Sequence, residues 1–202
     1  MPSSGTVRLV RPLPYAAQAF APTPTPSPGD WVNCWPMVGA TSTAGNLNAA
    51  QMVMVPMWVP EAMTIDRLAV RHTSTNTVNY RIGLYSATAA RVPDRLLFQA
   101  EVASAGAAAN LESVCRLRLG PGVYYTGAVS QGSTGQLLRA TQLHPAGLEA
   151  TTLSGLLNTA NNLWYQTTGT TGELPTTLTR SSLTISAFND GAVVFWMRRA
   201  LT

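Results

Sequence analysis

The sequence predicts a mainly β chain, an antiparallel β-sandwich with one short helix and an extended Pro-rich N-terminal arm. Three observations carry this. Between Ile65 and Gly132 short alternating segments are separated by Gly, Pro, Asn and Asp turns. Near the C-terminus two apolar runs flank Asn189-Asp190-Gly191, the kind of turn that closes a β-hairpin. Before all of this, residues 1–30 are punctuated by Pro12, Pro14, Pro22, Pro24, Pro26 and Pro28, a spacing that builds no core.

In chain order, Thr6-Val7-Arg8-Leu9-Val10 reads as a short strand, and the Pro-rich run after it reads as a polyproline-II-like spacer. Such a segment needs a surface to lie on, which a partner chain supplies most readily; Val7, Leu9, Pro22, Pro24, Pro26 and Pro28 are the docking candidates. Residues 1–60 are assigned to this arm and its linker, and residues 61–202 to the sandwich. Within the linker, Met52, Val53, Met54 and Val55 are apolar on both faces, as in a strand covered on both sides. Its methionines are gap-filling residues rather than a cofactor box.

From Ile65 the faces separate. Ile65, Leu68 and Val70 precede Arg71; Tyr80, Ile82 and Leu84 share one face, with Arg81, Gly83 and Tyr85 opposite. Leu96 to Val102 and Val114 to Leu119 are further strands, the second with Arg116 and Arg118 on its polar face. Gly120-Pro121-Gly122 forms the next turn, since Pro presets its first angle and Gly admits a positive one. Val123, Tyr125, Gly127 and Val129 then alternate with Tyr124, Thr126, Ala128 and Ser130. Leu153, Leu156, Leu157 and Ala160 recur at helical spacing, which predicts one short helix between Thr152 and Trp164, capped by Thr151 or Thr152. Leu183 to Phe188 and Val193 to Met197 are expected to pair as the final hairpin.

Composition narrows the function. Charged residues are 11% of the chain, against roughly 25% in an ordinary globular protein, so its Thr-, Ser- and Gly-rich surface suits burial against neighbours. The net charge is +4, yet the 13 basic residues are all arginine and, apart from Arg198-Arg199, scattered. Nucleic-acid binders cluster their cations, and no such partner is expected. Cys34 and Cys115 have no Cys-x-x-Cys spacing and lie far from His72 and His144, so neither a metal nor a cofactor is expected. Cys115 reads as a buried free thiol. No secretory segment is expected, and the apolar run Met52 to Val59 is too short to span a bilayer. The acids Asp66, Asp94, Glu101 and Glu112 fall at strand ends and turns. A triad of His144 with Ser130 or Ser133 has no supporting spacing, and no enzymatic activity is expected.

Five motifs recur together: Ile65-Asp66-Arg67-Leu68, Arg81-Ile82-Gly83-Leu84-Tyr85, Pro93-Asp94-Arg95-Leu96-Leu97, Gly120-Pro121-Gly122-Val123-Tyr124-Tyr125 and Ala128-Val129-Ser130-Gln131-Gly132. In that order, and with Gly172-Glu173-Leu174-Pro175-Thr176 after them, they resemble a jelly-roll-like domain of tailed-bacteriophage structural proteins, namely tail-fibre, tail-tip and head-fibre components. The resemblance spans roughly residues 60–200. It departs at Asp94-Arg95, where the family has Gly-x, which bears only on the turn. It implies a jelly-roll-like sandwich in a virion assembled in the bacterial cytoplasm, and it carries over no catalytic residue. The expected partners are other virion proteins and further copies of the chain, as a homotrimer. A host surface glycan is a further candidate, met by Tyr85, Tyr124, Trp164 and Tyr165. The reading favoured is a tail-fibre or tail-tip component acting in host adsorption. Its alternatives are a capsid-decoration or head-fibre protein and a free carbohydrate-binding module.

Overall fold

The computed structural model describes residues 28–32, 42–140, 162–168, 172–188 and 192–201. They form an antiparallel, jelly-roll-like β-sandwich. The strands are β1 (Trp31–Val32), β2 (Ser42–Leu47), β3 (Gln51–Val59), β4 (Met63–His72), β5 (Asn79–Ala87), β6 (Pro93–Ala103), β7 (Ala109–Leu119), β8 (Gly122–Gln131), β9 (Gly135–Ala140), β10 (Asn162–Thr168), β11 (Thr184–Phe188), β12 (Ala192–Val193) and β13 (Phe195–Arg199). The 3-10 turn Arg180–Ser182 is the only helical element among the described residues.

One sheet has the order β11-β10-β3-β8-β5-β6; the other runs β1-β13-β4-β9-β12, with β7 also on β4 and β2 on β9. From β3 to β5 and from β6 to β10 the chain changes sheet at every connection. Alternating side chains from both sheets therefore meet in one core: Val53, Val55, Met57 and Val59 from β3, Ile65, Leu68 and Val70 from β4, Tyr80, Ile82 and Leu84 from β5, and Leu111, Cys115 and Leu119 from β7.

The double-sided reading of β3 holds. Met52 and Met54 turn away from that core into a second cluster with Tyr85, Tyr125, Val129, Leu174, Leu178 and Leu183. Its roof is chain that returns over the outer face of the six-stranded sheet. Leu178 N–H donates to the Asp94 carbonyl at 2.7 Å, and Leu96 N–H donates to the Thr176 carbonyl at 2.9 Å. Leu174 N–H donates to Gln99 Oε1 at 2.8 Å. Burial of the three leucines contributes about 1.5–3 kcal/mol each. The roof lies close because Gly83 and Gly127 face each other across β5 and β8. A Cβ at Gly83 would collide with the Leu174 side chain and approach the Phe98 carbonyl to 2.8 Å, while one at Gly127 would press on the Tyr85 ring at 3.3 Å.

Four expectations are corrected. Residues 51–59, assigned to the arm and linker, are an interior strand: β3 lies between β8 and β10, so the sandwich begins before residue 61. The final hairpin does not form. β11 pairs with β10 in the six-stranded sheet, whereas β12 pairs with β9 and β13 with β4 in the other; Asn189-Asp190-Gly191 lie outside the described residues. Asn162–Thr168 is a strand, so no helix reaches Trp164; residues 151–161 lie outside the described residues. Tyr85 and Tyr124, read as lying off the core, are not free: Tyr85 is wholly buried under the roof and Tyr124 packs against the main core. Val7, Leu9, Pro22, Pro24, Pro26 and Cys34 lie outside the described residues, and Pro28 is an exposed turn residue. Cys115 is a free, buried thiol, pushed up to about 11 mainly by its burial.

Candidate functional site

The two sheets differ in what covers them. Outside the seven-stranded sheet, β4 carries a bulge at Asp66, where the register shifts against both β7 and β13. The extra residue turns Asp66 and Arg67 outward together while Ile65 and Leu68 stay in the core. Asp66 accepts two 2.8 Å bonds from Arg198 Nε and Nη2, and this guanidinium holds its carboxyl below the ordinary value. Arg67 lies 3.7 Å from Glu112, and Arg71 donates to Asn110 Oδ1 at 3.0 Å. Arg116 and Arg118 have no partner among the described residues.

Apolar side chains stand between these charges. Trp31 and Trp196 flank a hollow of about 550 Å³; Val114 and Leu201 border another of about 620 Å³. Trp31, Val114 and Leu201 are 43%, 66% and 68% exposed. Trp31 belongs to β1, the strand by which residues 28–32 join the sheet through β13.

The second place of interest is at one end of the sandwich. Trp58 lies on the outer face of β3, beyond the roofed Met52 and Met54, and is 38% exposed. With Tyr124, the Gly122 corner and the β5–β6 loop it encloses a cleft of about 350 Å³. The loop is firmly held. Thr88 N–H donates to the Val92 carbonyl at 2.8 Å, Arg91 N–H to the Thr88 carbonyl at 2.9 Å, and Tyr125 O–H to the Arg91 carbonyl. Arg91 pays for this geometry with a left-handed backbone, φ 59°.

A third cluster is internal. His72 is fully buried; its Nδ1 lies 2.7 Å from the Tyr80 hydroxyl and its Nε2 3.2 Å from Ser74 Oγ. Burial pushes the Tyr80 hydroxyl up to about 12. The network ties β4 to β5, and Tyr80 reaches the Gln136 carbonyl of β9 at 3.3 Å, so its role is structural. Ser130 is buried with its hydroxyl donating to the Ser133 carbonyl; His144 lies outside the described residues. Among the described residues no three His, Cys, Asp or Glu side chains converge on a metal position, and no helix is long and apolar enough to cross a membrane.

The four aromatics named for ligand contact do not form one site. Tyr85 donates to the Pro175 carbonyl at 3.0 Å beneath the roof, where burial raises its hydroxyl above the ordinary value. Tyr124 donates to the Gly120 carbonyl at 3.1 Å and lends one edge to the Trp58 cleft. Trp164 and Tyr165 fall in β10, opposite Ser186 and Ile185; their side chains lie outside the description. Sequence reasoning missed Trp58 and Arg91. Trp58 sits in an apolar run where every residue reads as covered, and a left-handed backbone leaves no mark on residue type; the one available signal was Pro60, two residues on, marking the strand's end. No known family model matches the chain, and no curated protein matches it significantly.

Proposed function

We propose that this protein is a non-enzymatic structural component of a tailed-phage particle. The N-terminal arm attaches it, and the sandwich is presented outward in a tail fibre or tail tip that contacts the host. The observation that carries this reading is the contrast between the two sheets. The six-stranded sheet is roofed by its own chain, whereas the seven-stranded sheet leaves Trp31, Val114 and Leu201 open, Trp31 on β1 itself, where residues 28–32 join the sheet. A freely dissolved module gains nothing from uncovered apolar side chains around paired charges; a subunit packed against copies of itself or a particle surface does.

The motif resemblance supports the same reading, because its pieces occupy consecutive parts of the sandwich: β4, β5, β6, the β7–β8 corner and the end of β8. Copies assemble as a trimer through the open face. The test is peptide mass spectrometry of density-gradient-purified particles. Peptides of this chain in constant ratio to the major structural proteins are expected; their absence from particles, with the chain recovered only in the soluble lysate, overturns the proposal.

A further inference from the structure

We infer that the cleft between Trp58 and Arg91 is a binding site for a sugar ring bearing a carboxylate, of the uronic or sialic acid class. The inference does not rest on where the protein is carried, since the cleft belongs to the isolated chain.

Trp58 supplies an exposed aromatic plane at the end of a strand whose other outward residues are covered. Such a plane packs against the C–H face of a pyranose and offers contact area at little entropic cost. Arg91 is the one charged residue among those lining the cleft, and its guanidinium has no partner among the described residues. An unpaired guanidinium presents the planar fork that matches a carboxylate with two parallel bonds. No lining acid opposes that charge. Thr88 accepts from Val92 N–H at 3.2 Å, which leaves its hydroxyl proton to donate to a ring oxygen.

The backbone gives independent support. Arg91 holds a left-handed conformation that a bulky side chain adopts at a cost of about 1–3 kcal/mol. Glycine would fill this position without strain, yet the chain places an arginine there and fixes the loop from both sides through Thr88 and Tyr125. Strain kept in this way sets the direction in which the Arg91 side chain leaves the loop, at the cleft that Trp58 also lines. A nucleotide also presents a ring and an anion. A single cation with no second one along the cleft provides no track for successive phosphates, so the sugar is favoured.

The test uses the full chain in isothermal titration, with digalacturonic acid as probe and its dimethyl ester as the neutral control. The acid is expected to bind about tenfold or more tightly than the ester. Trp58→Ala abolishes binding of both. Arg91→Gly brings the acid down to the ester's affinity, leaves the ester unchanged, and keeps or raises the unfolding midpoint, which separates loss of the site from loss of the fold. Equal binding of acid and ester, no binding of either, binding retained in Trp58→Ala, or displacement of the acid by oligothymidylate each overturns the inference.

Discussion

Asp66 turns outward at the bulge of β4 and meets Arg198 through two 2.8 Å bonds, which makes its contribution to stability sensitive to acid. Arg198 lowers the carboxyl from its ordinary 3.8, so the folded chain binds this proton less readily than the unfolded one. The pair's contribution is complete above the ordinary value and is lost as pH falls through the lowered one. The unfolding midpoint of the wild type should fall more steeply than that of Asp66→Asn as pH drops to and below the ordinary 3.8; thermal melts of both as acid is added decide it. Tyr80→Phe leaves a ring nitrogen of buried His72 without its 2.7 Å partner and should cost about 1–3 kcal/mol in urea unfolding. The core positions Ile65, Leu68 and Val70 were legible, but the bulge between them was not read from their spacing. Arg91 was not, because nothing in residue order reports a positive φ.

Among the elements, the roof over the six-stranded sheet decides which aromatics are available. The sequence showed that β3 is apolar on both faces and therefore covered twice, but not by what. The covering residues 172–183 lie about ninety positions away from Tyr85, as the Tyr85–Pro175 bond records, and local alternation carries no information about so distant a return. That is why Tyr85 read as lying off the core and as a candidate for ligand contact. The same limit misplaced the last strands: Asn-Asp-Gly between apolar runs signals a hairpin turn, and nothing local reports that β11 and β12 take partners in different sheets. Gly83 tests the roof directly. In Gly83→Ala the new Cβ meets Leu174 and the Phe98 carbonyl, and a loss of about 1–3 kcal/mol is expected. Hydrogen exchange should accelerate at Leu174 and Leu178, while Ile82 in the main core keeps its protection.

For the whole molecule, the low charge and the exposed apolar side chains of the seven-stranded sheet are what the proposed assembly rests on. Val114 is 66% exposed between Arg116 and Asp66. Val114→Glu should shift the proposed trimer to monomer in light scattering while the circular dichroism strand signal stays unchanged, because the exposed side chain is no part of the core. The general architecture was readable from turn spacing and alternation alone; the division of strands between sheets was not, because long-range pairing sets it. The central claim is a place on a phage particle, and immunogold electron microscopy of purified particles with an antibody against residues 65–130 tests it most directly. Gold at the tail tip or fibres is the predicted result. Particles that stay unlabelled, while the same antibody detects the chain free in the lysate, would contradict it.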